Sequence, residues 1–230
     1  RQRQMCIRDS NQISRKRGRN MTKKEEWLAG TRSAVPIMLG YVPVGIAYGV
    51  MARQAGLNTR QTVLMSLTVY GGASEMMAAG MVAQGAAVLT IVLTTFILNL
   101  RHIIMSTCVF NQMQGGRLPV RMLAAFGVTD ETFAVYTTTA NAPRTPRYFF
   151  SMALCSYLSW ALGSWLGAIA TGLLPPLITA ALGISLYAMF IGLLMPGLHG
   201  NGRLAALVVL TALCNTVLCN VVQLDSGWSM

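Results

Sequence analysis

The sequence predicts an all-α, polytopic integral membrane protein with about seven transmembrane helices. Apolar residues make up 53% of the 230-residue chain and charged residues only 11%, whereas a soluble domain usually carries about 25% charged residues. The apolar residues also gather in runs of about 20, the length of helix that crosses the hydrocarbon core of a bilayer. Composition and pattern together indicate that most of this chain lies in lipid.

Seven apolar runs follow one another along the chain, separated by turns rich in glycine, proline or polar residues. The fourth run has a polar centre, Thr129-Asp130-Glu131-Thr132, and spans the membrane only if neighbouring helices cover that centre. The rule that basic residues stay on the cytoplasmic side favours seven spans with a cytoplasmic N-terminus. The predicted spans are Ser33–Ala52, Thr62–Ala83, Ala87–Phe110, Leu118–Thr139, Tyr148–Leu173, Leu177–Leu198 and Leu204–Leu224.

The first 20 residues differ in composition from the rest of the chain. Residues 1–20 hold seven lysines and arginines and one acidic residue, Asp9, with no apolar periodicity. We interpret residues 1–20 either as a disordered basic arm or as a segment that is not native to the protein and precedes a start at Met21. Residues 21–230 are predicted to form a single transmembrane domain. An arm that binds nucleic acid or lipid headgroups is the alternative, and we expect no nucleic-acid partner.

The chain lacks the motifs of the common catalytic and metal-binding classes. Its five cysteines form no CxxC pair and it has two histidines, so we expect no disulfide framework, no metal site and no other cofactor. HExxH, Walker A and dinucleotide-binding patterns are absent from the sequence. We therefore expect no enzyme. One enzymatic alternative stays open, because Gly72-Ala73-Ser74 resembles the GxS of intramembrane serine proteases, with His199 as the base.

Small residues form stripes on three of the predicted spans. Such stripes let helix backbones approach closely in lipid, and packing is their simplest interpretation. The stripe of the second span differs from the others because a carboxylate lies in the middle of it. The stripes comprise Gly45 and Gly49 in the first span, Gly71, Gly72, Ala78 and Ala79 around Glu75 in the second, and Ser156, Ser159, Gly163 and Gly167 in the fifth.

Five ionisable residues lie at predicted membrane depth, all in the second to fourth spans. An ionisable side chain there costs about 2.5 to 3.5 kcal/mol on insertion scales, so it persists when it is paired, hydrated or functional. We therefore expect the second to fourth helices to be broken or lined with polar groups, and the site to bind or conduct a substrate. The predicted site residues are Gly71, Gly72, Glu75, Asn99, Arg101, His102, Asp130 and Glu131.

Two of these residues allow alternative interpretations. Glu75 is a candidate for proton coupling or for holding a substrate amine, because an isolated carboxylate in lipid favours its neutral form. It is equally suited to a structural hydrogen bond with a neighbouring backbone. Arg101 lies about 200° around a helix from Asn99, so either the helix breaks there, as in discontinuous transporter helices, or Arg101 pairs with Asp130 or Glu131.

Five stretches of the chain form a further pattern. They are GYVPVGIAYG at 40–49, MSLTVYGGASEM at 65–76, NLRHIIMS at 99–106, TDETFAV at 129–135 and YLSWALGSWLGA at 157–168. In order and spacing they resemble the AzlC family of bacterial branched-chain amino-acid exporters, the large subunits of two-component permeases. NLRH followed by TDETFA is the most specific part of the resemblance, which extends from about residue 28 to the end of the chain.

The resemblance implies a secondary transporter that exports branched-chain or similar apolar amino acids across the cytoplasmic (inner) membrane of a bacterium, coupled to an ion gradient. It also implies a small, AzlD-like membrane subunit as partner. A homo-oligomer is left open by the sequence. We expect Arg101 or a helix N-terminus near Gly71-Gly72 to receive the substrate carboxylate, and Glu75 or Asp130 to receive its ammonium group. A membrane assembly subunit that does not transport is the alternative function.

Overall fold

The computed structural model describes residues 21–113, 115, 118–139, 142–172, 191, 195 and 202–221. Within these residues the chain forms helices and turns and no strand. The described residues up to 172 belong to one compact unit, and those from 191 onward belong to a second. The prediction of an all-helical fold is therefore confirmed for the described part, whereas the single domain over residues 21–230 stays a prediction.

The first unit contains eight helices among its described residues. They are α1 (Lys23–Gln54), α2 (Thr59–Val69), α3 (Gly72–Ala83), α4 (Val88–Asn99), α5 (Arg101–Gln112), α6 (Leu118–Phe126), α7 (Asp130–Thr138) and α8 (Pro146–Ala170). Hydrogen-bonding side chains set where several of them begin. Reciprocal capping boxes join Thr22 to Glu25 before α1, Asn58 to Gln61 before α2 and Thr129 to Thr132 before α7.

The second unit contains α9 (Gly202–Val221), which covers most of the predicted seventh span, Leu204–Leu224. Residues 222–224 of that span lie outside the described residues. The predicted sixth span, Leu177–Leu198, also lies outside them, except for Ile191 and Met195, which are helical and exposed.

Three helical stretches of the described chain are long and apolar enough to cross a membrane. They are α1, α8 and the stretch Val88–Gln112 that α4 and α5 form together. The predicted second and fourth spans are each divided into two shorter helices, α2 with α3 and α6 with α7. The first, third and fifth predicted spans thus appear as long helices, and the total of seven spans stays a prediction.

Helices α1 and α8 pack against each other along the predicted glycine stripes. A Cβ atom added to Gly163 would stand 2.7 Å from the carbonyl oxygen of Val42 and 3.2 Å from the Cα of Gly45. One turn further on, Gly167 faces the backbone of Ile46 in the same way. Any larger side chain would therefore separate the two backbones. The packing interpretation of these two stripes agrees with the structure.

Helices α4 and α5 have an exposed apolar surface. Side chains of α4 and α5 such as Leu89, Phe96 and Ile104 are each more than 60% exposed. A soluble protein rarely exposes so large an apolar area, whereas lipid chains surround such side chains without cost. The buried polar groups of the described residues lie instead on α1, α2, α3, α7 and α8 and at the residue that caps α7.

Candidate functional site

The second predicted span is interrupted at Tyr70 and Gly71. Tyr70 adopts the left-handed helical conformation (φ 46°), and Gly71 is extended (φ −148°, ψ 98°) before α3 begins at Gly72. The predicted stripe of small residues assumed a continuous helix. That assumption is wrong for Gly71, which precedes α3, because Tyr70 and Gly71 depart from right-handed helical backbone angles. The span is broken, as expected for the second to fourth helices.

Glu75 lies in the first turn of α3 and is fully buried. Its Oε1 accepts a hydrogen bond from the Gly71 N–H at 2.9 Å, and its Oε2 accepts one from the Trp160 indole N–H at 3.2 Å. The carboxyl group thus caps the free N-terminus of α3, where the helix dipole favours negative charge. Of the two interpretations of Glu75, the structural hydrogen bond to neighbouring backbone is present in the structure.

Gly72 and Ser74 stabilise the backbone conformation at the interruption between α2 and α3. A Cβ atom at Gly72 would stand 3.0 Å from the Trp160 ring, so glycine allows the indole to reach Glu75. The buried Ser74 hydroxyl donates to the Gly71 carbonyl at 2.9 Å. Ser74 therefore has a structural hydrogen bond within its own turn. His199, its partner in the serine-protease alternative, lies outside the described residues.

Arg101 forms an ion pair with Asp130, with 2.9 Å between Nη2 and Oδ2. The helix around it is interrupted at one residue, Leu100, whose backbone keeps right-handed helical angles. Two alternatives were open for Arg101, a break in the helix or an ion pair with Asp130 or Glu131. The ion pair with Asp130 is present and joins α5 to α7, and the helix is interrupted only briefly, at Leu100. His102 follows Arg101 in the first turn of α5, with its Nδ1 3.2 Å from the backbone oxygen of Asn99.

Two buried atoms beside these groups have no hydrogen-bond partner among the described residues: the side-chain oxygen of Asn99 and the Nε of Arg101. The Asn99 oxygen would stand 3.6 Å from a Cβ atom at Gly71, so it faces the interruption between α2 and α3. Unpaired buried polar atoms are rare in native proteins and are costly unless a ligand or water completes them. The Asn99 oxygen is an acceptor, and the Arg101 Nε is a donor.

The fourth predicted span is interrupted between Phe126 and Asp130, and its polar centre points inward. Glu131 is 7% exposed, and its Oε2 accepts a hydrogen bond of 2.6 Å from the Tyr41 hydroxyl. The same hydroxyl lies 2.7 Å from Thr129 Oγ1. Asp130 and Glu131 thus face different partners, as expected for adjacent residues on a helix.

Aromatic side chains connect the two interruptions. The Tyr70 ring stacks on Phe126 with 5.9 Å between centroids, and the Tyr41 ring meets Trp160 edge to face at 5.4 Å. Sequence reasoning did not select Tyr41, Tyr70 or Trp160. Each stands inside one of the five stretches quoted above, but nothing in a single apolar run distinguishes a tyrosine that binds a carboxylate from one that packs.

The structure therefore gathers the predicted site residues around the breaks in α2–α3 and α6–α7. Glu75 and Glu131 are buried carboxyl groups that form no ion pair with a described basic residue, whereas Asp130 does. No group of three or more metal-binding side chains occurs in the part of the chain that is described. The arrangement is a buried polar layer between interrupted helices, which is typical of membrane transport proteins.

Comparison with known proteins identifies the family. The AzlC protein family profile matches residues 36–174, so the chain belongs to the AzlC family. An uncharacterized membrane protein of Archaeoglobus fulgidus is 33% identical over 81% of this chain and 83% of its own length. The inner membrane protein YgaZ of Escherichia coli is 30% identical over 74% and 72%. No solved structure matches the chain.

A third relative has a functional name. The branched-chain amino acid transport protein AzlC of Bacillus subtilis is 27% identical over 65% of this chain and 61% of its own length. The matched residues 36–174 include all eight predicted site residues. The resemblance found in the sequence is thereby confirmed, and the chain is a membrane protein of a family that includes a transport protein.

Proposed function

We propose that the protein is a secondary transporter that exports branched-chain or similar apolar amino acids across the cytoplasmic (inner) membrane of a bacterium. In this proposal it is the large subunit of a two-component permease, works with a small AzlD-like subunit and is coupled to an ion gradient. The family relationship to a branched-chain amino acid transport protein carries the proposal. The buried polar layer between interrupted helices supports it from the structure.

A zwitterionic substrate fits the unpaired groups of this layer. The Arg101 Nε is a buried donor without a partner, and it suits the substrate carboxylate. The Asn99 side-chain oxygen is a buried acceptor without a partner, and it suits the ammonium group. Glu75 and Asp130 are already bonded to Gly71, Trp160 and Arg101, so each would have to share or exchange a partner to bind the ammonium group.

The membrane arrangement belongs to the same proposal. We propose seven spans in a single domain over residues 21–230, with two of the spans built from the helix pairs α2–α3 and α6–α7. In this proposal residues 1–20 have no role in transport. The proposal needs no cofactor or metal and no enzymatic activity.

Transport by the reconstituted protein tests the proposal. The protein and its small subunit would be inserted into liposomes loaded with labelled valine, leucine or lysine, and efflux would be measured. We expect efflux of valine and leucine above that of protein-free liposomes, and none of lysine. Arg101→Ala should slow valine efflux about tenfold to a hundredfold, because a hydrogen bond to a charged group contributes about 1.5 to 3 kcal/mol.

Arg53→Ala is the matched control, because Arg53 is exposed at the end of α1 and bonds only to the nearby Leu57 carbonyl. It should transport at the wild-type rate. Equal rates for Arg101→Ala and the wild-type protein would overturn the role of Arg101. Absence of transport for every amino acid tested, with a folded complex, would favour the alternative of an assembly subunit. Labelling of Ser74 by a fluorophosphonate probe would instead favour the protease.

A further inference from the structure

The two buried carboxyl groups without a basic partner have different hydrogen-bond donors. Both oxygens of Glu75 accept from N–H groups, of Gly71 and of the Trp160 indole. Glu131 accepts a hydrogen bond of 2.6 Å from a hydroxyl group, that of Tyr41, and the Thr129 hydroxyl and its own backbone N–H also interact with the carboxylate. An N–H group only donates, so it cannot accept a hydrogen bond from a carboxylic O–H. A hydroxyl group both donates and accepts, so it can bond to a carboxyl group in either protonation state.

We propose that Glu131 is the proton-carrying group of the transporter, that Tyr41 is its hydrogen-bond partner in both states, and that Glu75 is a structural cap of α3. This inference rests on the proposed function, because it names the coupling ion of that transport cycle. When Glu131 is charged, Tyr41 donates to it. When Glu131 takes up a proton, the new O–H can donate to the Tyr41 oxygen, and the Tyr41 hydroxyl can turn toward Thr129, 2.7 Å away.

The Tyr70 hydroxyl is a second, independent observation at the same place. Tyr70 is 4% exposed, and its hydroxyl closes no hydrogen bond of standard geometry with any described residue. It nevertheless interacts with Tyr41, Glu131 and Glu75. A buried hydroxyl in this position can still take a closer partner. It is suited to receive the substrate ammonium group or a water molecule beside Glu131.

The groups that surround Glu131 leave its charge uncompensated in the described structure. Tyr41 faces it from α1, Tyr70 from the interruption between α2 and α3, and Asp130 from its own helix. The ionisable groups of α5, Arg101 and His102, interact with Asp130, and the ion pair occupies the Arg101 Nη2. Helix α8 presents Tyr148 to Tyr136, more than one turn further along α7.

Competition between a proton and the substrate ammonium group for the negative charge of Glu131 then couples proton entry to substrate export. The charged Glu131 attracts the substrate ammonium group, and a proton that binds to the Glu131 carboxylate removes this attraction. The proton is taken up as the substrate leaves on the outer side, and it is released to the cytoplasm before the next substrate binds. One proton enters for each zwitterion exported, and the carboxyl group returns to its starting state.

Valine gradients across liposomes test the coupling. With one proton exchanged per substrate, a pH difference of one unit should sustain up to about a tenfold valine gradient. We expect this gradient for the wild-type protein. Glu131→Gln should carry out valine exchange at raised valine concentration, independently of pH, and should sustain no gradient. Glu26→Gln is the matched control, because Glu26 is also a buried carboxyl group but has a basic partner, Arg147 at 3.5 Å. It should sustain the wild-type gradient.

Infrared difference spectra between acidic and alkaline buffer test the proton-binding step without transport. The purified wild-type protein should show a band of a buried protonated carboxyl group that is absent from Glu131→Gln and present in Glu75→Gln and Glu26→Gln. Tyr41→Phe should shift the band, because the hydroxyl partner is lost. These spectra are to be recorded on variants that elute as folded protein.

Three results would overturn the inference while leaving the proposed function intact. They are a pH-driven valine gradient with Glu131→Gln, a carboxyl band that persists in Glu131→Gln, and a band that disappears with Glu75→Gln instead. If the wild-type protein moves no amino acid, the proposed function fails. The infrared band then still decides whether Glu131 binds a proton.

Discussion

Along α1 and α8 the two helices meet backbone to backbone across glycines, whereas around the interruptions of α2–α3 and α6–α7 the helices meet through hydroxyl groups, carboxyl groups and aromatic rings. The first contact places Gly163 against Val42 and Gly45. The second places Tyr41 against Glu131 and Trp160 against Glu75. Both contacts are buried, but they depend on different forces.

The glycine contact has one close-packed arrangement, because rigid backbones meet with no side chain that could adjust. The polar contact has alternatives, because hydroxyl groups can turn and interrupted helices can change direction. A transporter needs a part that stays fixed and a part that rearranges around the substrate. We infer that α1 and α8 form the fixed part and that the interrupted helices move.

The glycine contact should be the most sensitive to substitution. Gly163→Val places a branched side chain where even a Cβ atom stands 2.7 Å from the Val42 oxygen. We expect a loss of about 3 kcal/mol of stability, measured as a lower unfolding temperature in detergent and a lower yield of monodisperse protein.

Gly80→Ala is the control for this substitution, because nothing lies within 4 Å of a Cβ atom at Gly80 in α3. It should leave stability unchanged or raise it slightly, since alanine favours helix over glycine. If Gly163→Val unfolds at the same temperature as Gly80→Ala, the contact between α1 and α8 is not the fixed part.

The glycine contact was largely predictable from the sequence, and the polar layer only in part. Small residues four apart on two apolar runs indicate close packing wherever the partner helix lies. The ionisable residues indicated a polar site in the second to fourth spans for a similar reason, because charge in lipid is costly at any position. The partner of each group depends on tertiary structure. The sequence therefore could not decide whether Arg101 marks a break in the helix or forms an ion pair.

The helix N-terminus expected near Gly71-Gly72 is present, since α3 begins at Gly72, but the residue that adopts the unusual backbone angles could not be predicted. The pair Gly71-Gly72 suggests that glycine supplies the unusual backbone angles, but the left-handed conformation falls on Tyr70. That conformation costs a non-glycine residue about 1 to 2 kcal/mol. Ring contacts of Tyr70 with Phe126 and Tyr157 offset the cost, and they involve residues far apart in sequence.

Trp160→Phe should have an intermediate effect, because Trp160 connects the fixed part to the interruption. The substitution keeps an aromatic ring in α8 but removes the N–H that donates to Glu75. One oxygen of a buried carboxyl group loses its partner, which costs about 2 kcal/mol. We expect a lower unfolding temperature than that of the wild-type protein in detergent.

Trp165→Phe is the matched control on the same helix, since Trp165 is 46% exposed. Its unfolding temperature should stay close to that of the wild-type protein. Equal effects of the two substitutions would mean that the bond between Trp160 and Glu75 does not hold the start of α3.

The smallest loss of stability is expected from a substitution at the beginning of α2. Here the local stability of α2 is compared with that of α1. Asn58→Ala removes a capping box and should cost about 1 kcal/mol, as should Thr22→Ala before α1. Helix α2 has 11 residues and ends at an interruption, whereas α1 has 32 and packs along α8. Amide hydrogen exchange should therefore accelerate throughout α2 in Asn58→Ala but only in the first turn of α1 in Thr22→Ala. Acceleration confined to the first turn in both variants would contradict a mobile α2.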